Sequence, residues 1–317
     1  MVYRTAIIGC GAIGGGYDRD PGGSWSFTHA GAYRLCRQTR VVAAADTNTR
    51  ALARFGRKWQ IPEIYTDYRE LLERERPDIV SLCLPTPLHW KVFRKICAYP
   101  VKAIFCEKPL SADLRQARDM ARLAEGRLVA VNYVRRWNPS LIRLRRDLAA
   151  GRFGQPLQVL VRYTKGLFGV GSHFVDFVRW FWGEPSEIVQ LRRVERPDGD
   201  PGVDFRLRFA GGPDAYFVHV ENAPYVFLDV DILTDRGRIV ISQRGQTIEH
   251  FRSALDPHFQ QFRILRRISE EETEWRVCLT SAVRQLVQCL GNGAQPACTA
   301  YDGLRAVEIC RKAAGAR

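Results

Sequence analysis

Residues 2–14 read VYRTAIIGCGAIG, and this stretch decides the first part of the fold. Val2–Ile8 is a short apolar run bounded by glycine, which is typical of a strand buried on both faces. GxGxxG follows at once: the first glycine permits a tight turn, the second lets the backbone approach a pyrophosphate, and the third permits close packing. The N–H groups of such a turn suit phosphates. The stretch predicts a dinucleotide site at Gly9, Gly11, Ala12, Ile13 and Gly14.

Similar apolar runs recur along the first part of the chain, each after a helix-like amphipathic stretch. They cover residues 41–45, 79–84, 101–106 and 128–131. Alternating strands and helices with right-handed crossovers predict a doubly wound parallel sheet. We therefore expect an α/β Rossmann domain over residues 1–131, with Asp67 and Ser111 as N-caps of two of its helices.

The pattern of apolar and turn residues changes after residue 131. Strand-like segments lie close together, separated by turns rich in Gly, Pro and Asp, which predicts mainly antiparallel pairing. Residues 132–317 are thus expected to form an α+β domain for substrate binding and oligomerisation, with a large, mostly antiparallel sheet. Two helices close the chain, near 271–290 and 299–314, and the last is a candidate to pack back on the first domain.

Composition excludes several classes of protein. The 317 residues are 46% hydrophobic and 26% charged, so packed domains are expected rather than long disorder. No segment resembles a signal peptide or a membrane span, which predicts a cytoplasmic protein. Nine scattered cysteines without a CxxC pattern predict reduced thiols and no metal site. The net charge of +14 is spread over the chain, which favours a small polar substrate, an anionic one included, over nucleic acid or membrane.

Asp46 ends the second apolar run, where an acid accepts hydrogen bonds from the adenosine ribose. A carboxylate there favours NAD, although Arg50 and Arg54 lie close enough to leave NADP open. Asp46 comes later than the roughly 20 residues usual after the glycine turn, because residues 15–28 form a Gly- and Asp-rich insertion. That insertion is either a surface excursion or a lid near the cofactor.

A charged pair, Glu107 and Lys108, follows the fourth apolar run. Open α/β sheets bind ligands at the carboxyl ends of their strands, which favours a functional role. A solvated ion pair is the other interpretation of the same residues.

Five segments together resemble the Gfo/Idh/MocA oxidoreductases, the group of glucose-fructose oxidoreductase and inositol dehydrogenase. They are the glycine turn 9–14, TPLH at 86–89, EKP at 107–109, RRWNP at 135–139 and GSHFVD at 171–176. The resemblance covers essentially the whole chain. EKP followed by GxHxxD is far more specific than the glycine turn alone.

The resemblance implies a set of site residues. Lys108 would be catalytic and would contact both the nicotinamide ribose and the substrate oxygen, and His173 would exchange a proton with that oxygen. Cofactor contacts are expected at Pro85, Thr86, His89, Glu107 and Arg136. Substrate contacts are expected at Tyr133, Lys165 and Asp176, the last lying one helical turn after His173.

One position departs from the family pattern. Many relatives carry an aspartate four residues before this histidine, where the present chain has Gly169. Another side chain such as Lys165 or Tyr163 takes its place, or the substrate needs less acid-base help, or catalysis is lost.

The resemblance as a whole implies hydride transfer between NAD(P) and a hydroxyl or carbonyl carbon of a sugar, cyclitol or sugar derivative. Two alternatives stay open: an imine or conjugated-system reductase of the same fold, and a non-catalytic NAD-binding regulatory protein. Because relatives associate through the exposed sheet face of the second domain, a homodimer or homotetramer is expected.

Overall fold

The computed structural model describes residues 1–315, which divide into two compact units. The first comprises residues 1–137 and 276–307, and the second comprises residues 138–275 and 308–315. These are not the two continuous ranges expected, because the chain returns to the first unit near its end. The reason is the apolar face of a late helix, whose Leu279, Val283 and Leu286 belong to the first hydrophobic core.

The first unit is built on a six-stranded parallel sheet in the order β3-β2-β1-β4-β5-β6. This order is the one predicted for a doubly wound dinucleotide-binding domain. Its strands are β1 (Tyr3–Ile8), β2 (Thr39–Ala45), β3 (Glu63–Tyr65), β4 (Ile79–Leu82), β5 (Ala103–Cys106) and β6 (Leu128–Val131). The helices that follow them are α1 (His29–Arg34), α2 (Thr49–Trp59), α3 (Tyr68–Glu75), α4 (Thr86–Ile96) and α5 (Leu114–Leu123).

Side-chain caps start four of these helices, among them α1, where Thr28 Oγ1 accepts a hydrogen bond from Gly31 N. Asn48 accepts a hydrogen bond from Ala51 N at the start of α2, and Asp67 caps α3 as predicted. The cap of α5 is Asp113 and not Ser111, because Asp113 accepts from Gln116 N while Ser111 Oγ accepts from the amide of Asp113. The serine therefore shapes the loop before the helix.

The second unit is built on an eight-stranded sheet in the order β14-β13-β12-β11-β7-β10-β9-β8. All neighbours are antiparallel except β7 and β10, so the predicted mostly antiparallel sheet is confirmed. Its strands are β7 (Pro156–Tyr163), β8 (Glu187–Val194), β9 (Gly202–Arg208), β10 (Asp214–His219), β11 (Leu228–Thr234), β12 (Gly237–Ser242), β13 (Thr247–Leu255) and β14 (Arg263–Glu272). The remaining helices of the chain are α6 (Pro139–Ala149), α7 (Ser172–Trp182), α8 (Cys278–Asn292) and α9 (Ala300–Ala313).

Two of these strands, β13 and β14, were not predicted. The helix expected from Glu271 starts only at Cys278, because Glu270–Glu272 continue β14. Six of the ten residues of β14 are Arg or Glu, and all ten are exposed, so no apolar alternation marks it as a strand.

The two faces of the eight-stranded sheet differ. One face is apolar and buried, with Val161, Phe217 and Val230 in the second hydrophobic core. On the other face arginines pair with carboxylates of the same sheet, as Arg238 does with Asp231 and Arg206 with Glu187. Exposed apolar side chains, among them Val218 and Leu233, lie on this face too, and the association expected through it stays a prediction.

Residues 1–315 include no helix that is both long and apolar enough to cross a membrane.

Candidate functional site

Two glycines of the predicted dinucleotide turn are required by their surroundings. A Cβ on Gly9, whose φ is +105°, would lie 2.4 Å from the carbonyl oxygen of Cys83. A Cβ on Gly14 would lie 2.3 Å from the carbonyl oxygen of Gly9. Around Gly11, in contrast, no atom of residues 1–315 other than those of the glycine and its two neighbours in the chain lies within 4 Å of the corresponding position. Gly11 thus leaves open space for a pyrophosphate, while the other two close the turn.

Asp46 lies beside this turn at the end of β2. Its Oδ2 accepts a hydrogen bond of 2.8 Å from Cys10 N, and its Oδ1 accepts one of 2.8 Å from Asn48 N. These bonds fix the carboxylate against the glycine turn. Since each carboxylate oxygen has a further lone pair, the group can still accept bonds from ribose hydroxyls. The glycine turn and Asp46 therefore fit a dinucleotide.

The insertion after the turn is organised around one buried carboxylate. Only a short π-helical turn (Ala12–Gly16) follows the glycines, and the next helix starts at His29. Between them Asp18 accepts hydrogen bonds from Ser26 Oγ at 2.6 Å, Thr28 Oγ1 at 2.5 Å and Phe27 N at 2.8 Å. The insertion is thus anchored from inside. Whether it covers the cofactor stays a prediction, and a deletion that tests it must spare Asp18.

Glu107 is the polar centre of the first unit. It follows β5, is 7% exposed, and its Oε1 accepts from His29 Nε2 at 2.9 Å and from Asn132 Nδ2 at 2.6 Å. Burial by itself would raise the pKa of this carboxyl. The hydrogen bonds from His29 and Asn132 and the positive charge of Lys108 outweigh burial and hold the pKa below its ordinary value. Glu107 is therefore a buried anion.

A chain of buried hydrogen bonds continues from this anion into the core. Because ionised Glu107 can only accept, His29 Nε2 donates to it. The other ring nitrogen, Nδ1, lies 2.8 Å from Ser81 Oγ, which in turn lies 2.7 Å from the hydroxyl of Tyr33. His29, Ser81 and Tyr33 are all fully buried, so this chain fixes the imidazole and, through it, the carboxylate.

His29 and Asn132 were missed from the sequence. Asn132 directly follows β6, so the rule that pointed to Glu107, a polar residue at the carboxyl end of a strand, also applies to it. His29 carries no such signal. It reaches Glu107 only because the insertion returns the chain to the sheet.

Lys108 follows Glu107 directly and is half-buried. Pro85 caps α4, and Thr86 is the first residue of that helix. His89 on the same helix is buried, with Nδ1 3.0 Å from Pro109 O and Nε2 2.7 Å from Leu84 O. Burial lowers its pKa. Both ring nitrogens thus face backbone carbonyls, and His89 ties α4 to the loop after Lys108. Its predicted contact with the cofactor stays a prediction.

Arg136 and Tyr133, two other residues predicted to contact a ligand, are buried in the first unit. Arg136 Nη1 donates to Ala297 O at 2.9 Å, and Nη2 forms an ion pair of 3.2 Å with Asp302. This guanidinium holds the chain before α9, which accounts for its burial without a ligand. Tyr133 is 1% exposed and packs in the first hydrophobic core, and its predicted contact with substrate stays a prediction.

In the second unit the predicted residues surround the start of α7. His173 lies in the first turn of this helix and is partly exposed, and Asp176, one turn later, is 1% exposed. Lys165 precedes the helix, is exposed, and has a left-handed backbone with φ of 62°. Their predicted roles stay predictions.

Asp200, which was missed, supplies a carboxylate at the backbone of Gly169. Its Oδ2 accepts from Gly169 N at 2.7 Å and its Oδ1 from Phe168 N at 2.8 Å. Burial raises the pKa of Asp200 despite these bonds. Tyr163, one substitute suggested for the missing aspartate, is buried, and its hydroxyl is bonded to Val203 O at 2.8 Å and Val203 N at 2.9 Å. Asp200 thus places a carboxylate beside Gly169, the position at which many relatives have an aspartate.

The sheet order, the glycine turn and Asp46 define the first unit as a dinucleotide-binding Rossmann domain. Residues 3–133 match the family GFO_IDH_MocA, described as an oxidoreductase family with an NAD-binding Rossmann fold. The match confirms the resemblance for these residues, so the first unit contains an NAD-binding domain like that of the Gfo/Idh/MocA oxidoreductases.

Similar proteins extend over both units. The uncharacterized oxidoreductase YrbE of Bacillus subtilis is 26% identical, covering 98% of this chain and 92% of its own. Inositol 2-dehydrogenase 2 of Saccharopolyspora erythraea is 28% identical over 75% of this chain and 68% of its own. The fold is also that of a mutant of KijD10, a 3-ketoreductase from Actinomadura kijaniata solved with TDP-benzene and NADP, with a TM-score of 0.79, 20% identity and coverage of 100% and 98%.

Proposed function

We propose that this oxidoreductase transfers hydride between a nicotinamide dinucleotide and a hydroxyl or carbonyl carbon of a sugar, cyclitol or sugar derivative. The observation that carries the proposal is Lys108, a cation that directly follows the buried anion Glu107 at the carboxyl edge of the parallel sheet. The inositol dehydrogenase and 3-ketoreductase relatives support the substrate class. The basic chain favours a small polar substrate with an anionic group.

The residues of the first unit define how a dinucleotide is held. The turn of Gly9, Gly11 and Gly14 offers its N–H groups to the pyrophosphate, and Asp46 accepts from the adenosine ribose. A carboxylate at this position disfavours a 2′-phosphate, which supports NAD over NADP. The bound cofactor supplies the hydride donor or acceptor.

Lys108 is proposed to stabilise negative charge on the substrate oxygen. When hydride leaves or reaches the carbon, that oxygen gains alkoxide character, and a cation already in place lowers the free energy of this state. The backbone that leads into Lys108 is held by Glu107 and its bonds to His29 and Asn132. This anchoring explains why a flexible lysine can be placed reproducibly beside a reacting atom.

His173 is proposed to exchange the proton of the same oxygen, since an imidazole titrates near neutral pH. Its place in the first turn of α7 leaves the ring partly exposed, as a proton-exchanging group requires.

The test is a spectrophotometric assay at 340 nm with NAD and NADP against cyclitols, sugar phosphates and nucleotide sugars. With a substrate in hand, Lys108→Ala should lower kcat by about 100- to 1000-fold, the loss typical of removing one electrostatic contact to a transition state. Lys102→Ala is the matched control. Lys102 lies before the same strand, is exposed, and pairs with Asp78 at 2.8 Å, so its loss should leave kcat unchanged.

Other outcomes would select the alternatives. Turnover that survives in Lys108→Ala contradicts the proposed mechanism. Reduction of a C=N or conjugated substrate, with no activity on any polyol or sugar, identifies a reductase of the same fold. Cofactor binding without turnover of any substrate favours a regulatory NAD-binding protein.

A further inference from the structure

Strand β14 forms one edge of the eight-stranded sheet and has a neighbour, β13, on one side only. It is ten residues long, and every one of them is exposed. A strand of this length offers unpaired N–H and C=O groups along its outer edge, which is a template for a further strand. The residues of β14 indicate which strand fits.

Charge is divided between the two halves of β14. The first half, RILRR, is basic, with Arg263, Arg266 and Arg267, and the second half, ISEEE, ends in three acids, Glu270–Glu272. A parallel neighbour of the same sequence would set like charges opposite each other. An antiparallel neighbour of the same sequence sets the basic half opposite the acidic half, so this edge is complementary to itself.

The pairing of β14 with β13 fixes which residues occupy successive places. Ser269 lies opposite His250 and Arg267 opposite Phe251, so Ile268 is the extra residue of a bulge. If Ile268 is left out of the count, the paired positions next to Ser269 are Arg267 on one side and Glu270 on the other. The paired positions after these are Arg266 and Glu271.

We propose that two copies of this chain associate through β14, with Ser269 of one copy opposite Ser269 of the other. A twofold axis perpendicular to the sheet then sets Arg267 opposite Glu270 and Arg266 opposite Glu271, each pair occurring twice. The eight-stranded sheets of the two copies become one continuous sheet.

The ion pairs within one chain leave the charged residues of β14 available to a second copy. Within residues 1–315, Arg266 has no ion pair, and the contact of Glu271 is a distant one to His250 Nε2 at 4.0 Å. Arg267 pairs with Glu270 along the strand at 2.6 Å and with Glu249 of β13 at 2.9 Å. It can exchange the contact with Glu270 for the equivalent one across the axis and keep the contact with Glu249.

Exposed apolar side chains accompany the charges. Leu265 is 43% exposed, and Ile268, next to the proposed axis, is 57% exposed. Burial of such side chains between two copies adds a hydrophobic contribution to the charge pairing.

Charge exchange tests the proposed pairing. Arg266→Glu sets two acids against each other at both places where Arg266 would meet Glu271, and Glu271→Arg sets two arginines against each other there. Each variant should therefore weaken the dimer at least tenfold in sedimentation-equilibrium Kd. The double variant Arg266→Glu/Glu271→Arg keeps the net charge and restores opposite charges, so it should regain the dimer. An equimolar mixture of the two single variants should also form dimers. Arg236→Glu, an exposed residue in the turn after β11, is the control for the change in net charge.

Circular dichroism and thermal melting establish that each variant is folded. The proposal is overturned if the wild-type chain is monomeric, if the single variants dimerise as the wild type does, or if a folded double variant stays monomeric. None of the substituted residues is proposed to bind cofactor or substrate, so these results test the association separately from the proposed reaction.

Discussion

Glu107 and Asp200 are buried carboxylates, one in each unit, and their pKa values move in opposite directions. Both lose hydration, which raises a carboxyl pKa. Glu107 accepts from two side chains, His29 and Asn132, and lies next to the cation Lys108, so its pKa falls below the ordinary value. Asp200 accepts from two backbone amides, those of Phe168 and Gly169, and its pKa rises. Burial therefore does not decide the charge state by itself; the kind of partner does.

The opposite pKa shifts of Glu107 and Asp200 suit the two carboxylates to different roles. Glu107 is a permanent anion that gives the neighbouring cation a fixed environment. Asp200 has a pKa raised by burial, and its carboxylate lies against the segment that leads into the helix of His173, beside the position where many relatives have an acid. A group of the second kind can serve proton chemistry, while the first kind serves placement.

Truncation should have its largest effect at Glu107. Glu107→Ala leaves His29 and Asn132 buried without their shared acceptor, and a loss of about 3–5 kcal/mol in the free energy of unfolding is expected for breaking such a buried set. Asp200→Ala leaves two backbone amides without an acceptor and should lose about 1–3 kcal/mol. Urea denaturation of both variants measures the two losses. Equal losses would contradict the distinction between the two sites.

A methyl group added next to Asp200 tests the packing around this carboxylate more selectively. A Cβ on Gly166 would lie 1.9 Å from Asp200 Cγ, whereas a Cβ on Gly169 would lie 3.1 Å from its Oδ2. Gly166 has an ordinary extended backbone, so Gly166→Ala acts through this clash alone. It should cost about 1–3 kcal/mol, and Gly169→Ala, the matched control, clearly less.

The double variant Gly166→Ala/Asp200→Ala separates the clash from other effects. Removal of the carboxylate takes away the two nearest atoms, Asp200 Cγ at 1.9 Å and Oδ2 at 2.1 Å, and leaves Cβ at 2.4 Å. Part of the clash is therefore relieved, and the two losses should be less than additive. Additive losses in urea denaturation would mean that Gly166 acts through something other than Asp200.

The smallest effect expected is a difference in pH dependence. The lowered pKa of Glu107 means that its contribution to stability is present above the unfolded pKa, about 4, and is lost as the pH falls through the folded value. The raised pKa of Asp200 has the opposite sign, so its contribution is present below the unfolded pKa and is lost as the pH rises through the folded value.

Isosteric variants make this difference measurable. As the pH falls from about 7 to about 3, the wild type should lose stability relative to Glu107→Gln and gain stability relative to Asp200→Asn. Denaturation midpoints taken across this range show both trends. Trends of the same sign would show that the two carboxylates are not distinguished by their partners.

Much of the first unit follows from local sequence. Gly9, Gly14 and the apolar runs specify a buried parallel sheet, because the same residues pack in the same way wherever such a turn occurs. Lys108 and Asp46 were found by their place at strand ends. In the second unit, β14 escaped prediction because a charged, exposed edge strand has no apolar alternation to reveal it.

What the sequence by itself determined is the fold class, the NAD-binding turn and the family resemblance. These depend on residues that are neighbours along the chain. Only the tertiary structure decided that His29 and Asn132 hold Glu107, that Asp200 lies against Gly169, and that Arg136 and His89 serve the protein's own backbone. Each of these contacts joins residues that are separated in the sequence, and such contacts form only when the complete chain has packed.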